Sequence, residues 1–146
     1  MSSSFLGQFE NSVTNRRISI PHSFRKLFTA KSKMKVIIVR GINNTIYVYP
    51  HDNWQKLQER LAENSNEEKK LFRISSRFFR EELKVEGPGR ILVPERFLDL
   101  ANIKDRVIIL GEGNYFSLWN PENFKKHLEE IDKNYNSILK KNRFIL

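Results

Sequence analysis

An internal repeat constrains this chain more than any other feature. Arg17-Ile-Ser-Ile-Pro-His-Ser-Phe24 matches Arg90-Ile-Leu-Val-Pro-Glu-Arg-Phe97, both reading Arg-Ile-x-(Ile/Val)-Pro-x-x-Phe. The same offset pairs Phe5-Leu6 with Phe78-Phe79. A slightly smaller one pairs Gly41-Ile-Asn-Asn44 with Gly111-Glu-Gly-Asn114 and Tyr49-Pro-His-Asp-Asn-Trp54 with Trp119-Asn-Pro-Glu-Asn-Phe124. Matches that keep their order at nearly one spacing mark a duplication, in which each copy is one supersecondary unit. The 146 residues are enough for one ordinary domain or two very small ones, and units this small need further support such as oligomerisation.

Each unit reads as two short β-hairpins with helices between and after. In the first, residues 5 to 13 form a strand, Thr14-Asn-Arg-Arg17 a tight turn and Ile18-Ser-Ile20 the return strand. Pro21 then opens a short helix reaching Leu27. Residues 35 to 39 and 45 to 49 pair around Gly41-Ile-Asn-Asn44, whose residues suit positive φ, and Asp52 caps a helix carrying Trp54, Leu57 and Leu61 on one face. The second unit expects strands at 78 to 85, 90 to 93, 107 to 110 and 115 to 119, with helices from Pro94 and from about Glu122. Pro88-Gly89 suits a type II turn. Leu128, Ile131, Tyr135, Ile138 and Leu139 fall on one helical stripe, expected to pack against the body or a neighbour. The expected organisation is a first repeat at 1–62, a charged connector at 63–77, helical from Glu67 to Ile74, and a second repeat with a C-terminal helix at 78–146.

Charge narrows the function. Lys and Arg exceed Asp and Glu by 9, and residues 1 to 50 hold eight basic side chains against Glu10 alone. A basic face of this kind favours a polyanion, because neutralising phosphates releases condensed counterions. No apolar run approaches a membrane span, and Met1-Ser-Ser-Ser-Phe5 lacks the features of a signal peptide, so a cytoplasmic location is expected. With no cysteine, thiol catalysis and cysteine-ligated zinc are excluded, and His22, His51 and His127 share no metal-ligand spacing, so no cofactor is expected. Adjacent carboxylates such as Glu67-Glu68, Glu81-Glu82 and Glu129-Glu130 face different ways and make no acid–base pair. His22 adjoins Ser23 too closely for a triad, and Gly87-Pro88-Gly89-Arg90 lacks the lysine and spacing of a phosphate loop. The chain is not expected to be an enzyme.

On these residues the chain resembles the MraZ family from Phe5 to about Glu130, and its repeats are similar to the swapped-hairpin fold of AbrB-type regulators. The resemblance implies an α+β fold with two tandem β-hairpin/helix repeats in a swapped-hairpin-type β-barrel. The family pattern in each repeat is Asp-x-x-x-Arg in a hairpin turn. Arg17 and Arg90 match its arginine, but Glu86 stands at the acid position of the second turn, and the shorter first turn offers Val13 or Thr14 there. Thr14 and Asn15 can supply turn hydrogen bonds but not the charge that would hold the arginine. The resemblance further implies a regulator that binds short direct repeats upstream of its own operon of cell-wall and division genes. Its partners would be double-stranded DNA and further copies of itself, in a nucleoid-associated ring larger than a dimer.

Candidate DNA contacts are Arg16, Arg17, Arg25 and Lys26 in the first repeat, and Lys84, Arg90 and Arg96 in the second. The planar arginine fork suits both phosphate and the guanine edge. Glu86 and Glu95 offset the second cluster, so the first repeat is expected to carry more of the contact. The sequence leaves two alternatives: an antitoxin-like protein-interaction module, whose basic turn meets an acidic partner, and an RNA-binding protein, for which no aromatic-rich strand motif speaks.

Overall fold

A computed structural model describes residues 4–29, 34–63 and 66–142. In chain order the elements are β1 Gln8–Thr14, β2 Arg17–Ser19, α1 His22–Arg25, β3 Lys35–Arg40, β4 Ile46–Pro50, α2 His51–Glu63, α3 Glu67–Phe78, β5 Arg80–Lys84, β6 Arg90–Leu92, α4 Glu95–Ala101, β7 Arg106–Gly111, β8 Phe116–Trp119 and α5 Pro121–Lys141. Residues 1–3 of the N-terminal stretch and residues 64–65 of the connector lie outside the described residues.

The strands form one antiparallel sheet in the order β5-β3-β4-β8-β7-β1-β2-β6, which curls into a nearly closed barrel. Interchanging the repeats leaves this order unchanged around the barrel, so the duplication appears as an internal pseudo-twofold. The repeats complete one another by exchange. The first strand of each lies on the third strand of the other: β1 pairs β7 with Gln8 opposite Leu110, and β5 pairs β3 with Lys84 opposite Lys35. On the pseudo-twofold, β2 pairs β6 and β4 pairs β8. The β1–β2 hairpin is hydrogen-bonded, with Val13 opposite Ile18 and Thr14 opposite Arg17, whereas β5 and β6 share only the bridge Glu86–Arg90. That seam is where the barrel stays open.

Period-two alternation sends one face of each strand inward. Phe5, Ile18, Ile20, Phe24 and Val36 from the first repeat meet Ile91, Val93, Phe97, Val107 and Ile109 from the second in one core. The Phe24 ring lies 5.1 Å from Phe5, 5.2 Å from Phe9 and 5.2 Å from Phe116. Each such pair adds about 0.5–1.5 kcal/mol beyond area burial. The central strands β3 and β7 are buried on both faces, because helices cover their outer side. Trp54 of α2 packs on Ile37, Val39 and Tyr49, and Phe124 of α5 packs on Ile108 and Trp119. Asn66 and Asn120 cap α3 and α5 by accepting from the Lys69 and Asn123 N–H groups at 2.8 and 3.0 Å.

Several expectations need correction. Asp52 does not cap α2: the helix begins at His51, and the buried Asp52 accepts from Thr29 Oγ1 at 3.0 Å. Phe78 ends α3 instead of opening a strand, and it is exposed, whereas its sequence match Phe5 is buried and bridges Gly113. The two are not structural equivalents. Instead of a type II turn, Gly87-Pro88-Gly89 forms a three-residue loop, with positive φ at both glycines and the Glu86 carbonyl accepting from Gly89 and Arg90 N–H. The first-repeat helix spans only His22–Arg25 and stops short of Leu27. The C-terminal stripe does not pack on the body: Leu128, Ile131, Tyr135 and Ile138 are exposed.

Candidate nucleic-acid interface

The candidate interface lies on the β2·β6 ribbon. Arg17 lies opposite Leu92, Ile18 opposite Ile91 and Ser19 opposite Arg90. Ile18 and Ile91 are buried, so alternation turns Arg17, Ser19, Arg90 and Leu92 outward on one face. Arg17 and Arg90 are diagonal neighbours on that face, about 7–8 Å apart at Cα for such a placement. Because the strands are antiparallel, the two hairpin turns stand at opposite ends of the ribbon. The Ile20 N–H donates to the Gly89 carbonyl at 2.8 Å, and the Val93 N–H to the Arg16 carbonyl at 2.8 Å, so each turn is fixed by the other repeat's strand.

These paired bonds make Arg16 the counterpart of Gly89, and the backbone agrees, with φ at 62° and 109°. The first turn is a two-residue loop, with Asn15 at φ 51° beside Arg16. Positive φ at both central residues matches the right-handed strand twist. It also displays the Arg16 side chain at the tip, where the second repeat has none.

The candidate cations divide into free and committed groups. Arg16, Lys26, Lys84 and Arg90 are exposed, and their side chains have no hydrogen-bond or ion-pair partner among the described residues. Arg17 makes one long contact, 3.4 Å to the Asn15 carbonyl. Arg25 is engaged elsewhere. It crosses from α1 to the second turn, lies over Gly89 where a Cβ would overlap its Cδ, and donates through Nη1 to the Pro88 carbonyl. Its pseudo-twofold counterpart is Leu98, a core residue. Arg96 is also engaged, donating to the Phe78 carbonyl at 2.9 Å and to Glu81 at 3.0 Å while its guanidinium lies 5.3 and 5.0 Å from the Phe79 and Phe97 ring centres. It ties α4 to the start of β5.

The ribbon therefore brings Arg16, Arg17 and Arg90 together; Lys26 lies at the end of α1 and Lys84 beside the barrel seam. Two further residues belong to this surface. Ser19 faces outward opposite Arg90, as strand alternation alone would have shown. Lys35 stands opposite Lys84 only through cross-repeat pairing, and it is 3.7 Å from Glu82. No three His, Asp or Glu side chains converge on a metal position among the described residues. No helix among them is long and apolar enough to cross a membrane.

A family model described as "MraZ protein, putative antitoxin-like" matches this chain twice, at residues 14–75 and 80–145. The chain belongs to the MraZ family. MraZ relatives include a protein of Thermomicrobium roseum, 30% identical over 128 residues, covering 86% of this chain and 87% of the relative. Another, from Syntrophomonas wolfei, is 30% identical over 92% of this chain and 93% of its own length, and one from Clostridium tetani is 27% identical over 94% and 95%. All three are named "Transcriptional regulator MraZ". This is a family of transcription regulators, not of enzymes. Against the MraZ turn pattern, strand pairing puts Thr14 opposite Arg17 and Glu86 opposite Arg90, so the first turn carries no carboxylate.

Proposed function

We propose that this chain is a transcription regulator that grips duplex DNA with the outward face of the β2·β6 ribbon and its two flanking turns. Arg16, Arg17 and Arg90 make the central contacts, while Lys26 and Lys84 extend the positive field. Arg25 and Arg96 hold the turns and helices behind them. The observation that carries the reading is the gathering of cations without ion-pair partners on the β2·β6 ribbon, one of the four seams where the repeats meet, with Arg17 and Arg90 on a single outward face. A two-stranded ribbon is one of the elements the major groove admits, and arginine is the side chain best suited to phosphate and guanine.

In this reading the regulator is cytoplasmic and nucleoid-associated, and acts as a ring larger than a dimer. Head-to-tail subunits share one orientation around the ring and so read short direct repeats, upstream of the protein's own operon of cell-wall and division genes. Each subunit touches few bases, and joining them raises affinity through effective concentration.

Fluorescence anisotropy on DNA from upstream of the gene tests the reading. Binding is expected at low salt and should weaken with a log–log slope of about −0.9 for each phosphate neutralised. Absent binding at low salt, or binding indifferent to salt, would overturn it.

A further inference from the structure

The β2·β6 ribbon carries one hydroxyl among its arginines. Ser19 is exposed and turns outward with Arg17 and Arg90. Its carbonyl accepts from Asn11 Nδ2 at 2.9 Å, and its hydroxyl has no hydrogen-bond partner among the described residues. The bonds from Ile20 to Gly89 and from Val93 to Arg16 make Ser19 and Arg90 a non-hydrogen-bonded pair of the ladder. In such pairs the Cα atoms approach to about 4.5 Å and the side chains stand closest. Arg17 lies two residues back on the same face. The second repeat has no such hydroxyl, because the pseudo-twofold puts Leu92 in the place of Ser19.

The sequence singles out the same side chain. Ser19 follows Arg16-Arg17-Ile18 and precedes Ile20, and no other Ser or Thr of the chain has arginines both two and three residues before it. Two guanidiniums ahead of a hydroxyl and an apolar residue after it fit the cleft of a basophilic protein kinase, which offers carboxylates to the cations and an apolar pocket to the residue that follows. β2 is three residues long, paired to β1 at two positions and to β6 at three, so seating it there takes the local opening of one short ribbon.

A phosphoryl group on Ser19 would bring a charge of about −1.5 to −2 and three acceptor oxygens. It would stand between two guanidiniums, Arg90 across the ladder and Arg17 along the strand, neither of them in an ion pair among the described residues. Arginine and phosphate form short, bidentate, charge-assisted hydrogen bonds. The arginines that face DNA would then be held by the serine beside them, and the added charge would repel the DNA backbone.

We propose that Ser19 is a phosphoryl-acceptor site, and that its phosphorylated form holds Arg17 and Arg90 and releases the protein from DNA. The donor is a nucleoside triphosphate bound by a basophilic kinase. The bond from Ser19 Oγ to the γ-phosphorus forms as the bond from that phosphorus to the bridging oxygen breaks. The hydroxyl proton passes to a carboxylate of the kinase, and nucleoside diphosphate leaves. The inference rests on the DNA reading above and names how that surface is switched.

The folded protein is incubated with ATP and the catalytic subunit of cyclic-AMP-dependent protein kinase. Mass spectrometry is expected to find a phosphoryl group on Ser19 and none at that position in Ser19→Ala. Labelling that leaves Ser19 bare overturns the acceptor. Protein carrying phosphoserine at this position in full occupancy, made by nonsense-codon suppression, is then compared with the unmodified chain on DNA from upstream of the gene. Affinity is expected to fall on the order of 100-fold, and the log–log salt slope to become shallower by about 0.9 for each arginine diverted, with unchanged circular dichroism. Unchanged affinity overturns the switch. Phosphorus NMR reads the arginine clamp without DNA: the second ionisation of the phosphoserine is expected below its usual value of about 6, and to return toward it in Arg90→Ala. A titration that Arg90→Ala leaves unmoved overturns the clamp. An unmodified chain that fails to bind DNA at low salt sinks the DNA reading, while the labelling and the phosphorus titration still decide the acceptor and the clamp.

Discussion

Replacing Gly89 by Ala tests whether Arg25 clamps the second turn. Two costs are expected. Gly89 has φ 109°, where an L residue is strained by about 1–2 kcal/mol. The new Cβ would also overlap Arg25 Cδ and push its guanidinium off the Pro88 carbonyl. A hydrogen bond from a charged donor contributes about 1.5–3 kcal/mol when buried, and about 1 kcal/mol here because Arg25 is half-exposed. Gly89→Ala should therefore destabilise the protein by about 2–3 kcal/mol. Gly87 is the internal control: φ is +49° and nothing lies within 4 Å of an added Cβ, so Gly87→Ala should cost only the backbone share, about 1 kcal/mol. Urea unfolding of both variants, repeated in an Arg25→Ala background, supplies the cycle. With Arg25 truncated, Gly89→Ala should lose the collision and cost little more than its backbone strain. Equal costs for the two glycines, or strict additivity of Arg25→Ala with Gly89→Ala, would refute the clamp.

Arg17→Ala is expected to weaken operator binding by about 1–3 kcal/mol per engaged subunit if it reads a base, and Arg90→Ala by less, because Arg16 reinforces the first turn while Glu86 opposes the second. Titration of both folded variants at one salt concentration checks the order, and its reversal defeats the charge argument. Arg96→Ala should cost about 1 kcal/mol of stability, since it loses bonds to Phe78 and Glu81 and its place on Phe79 and Phe97, yet leave the salt slope of DNA binding unchanged. A shallower slope would make it a phosphate contact instead. Burial, and next the neighbouring Tyr47, hold the Tyr49 and Tyr115 hydroxyls well above the usual phenol value of 10.0. The folded state keeps protons that the unfolded chain releases, so their contribution is intact below that value and is lost as pH rises past it. Ultraviolet titration should show these phenolates appearing only together with alkaline unfolding; their ionisation in the folded protein would contradict the burial.

Local chemistry made the hairpins legible: positive-φ residues in the turns, alternation in the strands, Pro21 and Pro94 before the short helices. The exchange of strands was legible only through the resemblance, which implies a swapped-hairpin barrel, because nothing in Gln8–Thr14 or Arg106–Gly111 itself names the other as its partner. A duplication fixes what each unit is, not which copy completes it. The same gap explains why the basic residues divide into free and committed groups. Arg16, Arg17 and Arg90 are placed by turns that the sequence announces, while Arg25 and Arg96 reach groups 63 and 18 residues away along the chain. Their commitment depends on tertiary proximity that charge counting does not see. Phe78 shows the converse error, where a matching residue pair falls in a helix on one side and a barrel core on the other.

The strand exchange also bears on how the protein is made. β1 is completed only by β7, about a hundred residues later, and β3 only by β5 beyond two intervening helices. At about 5–20 residues per second, β1 waits some 5–20 seconds on the ribosome for its partner. During that interval the nascent first repeat carries unpaired strand edges, and until β5 is made these include the apolar run Val36-Ile37-Ile38-Val39 of β3, the kind of segment prone to pairing with a neighbouring chain. A ribosome that stalls or terminates between the repeats releases a half-barrel with its seams open.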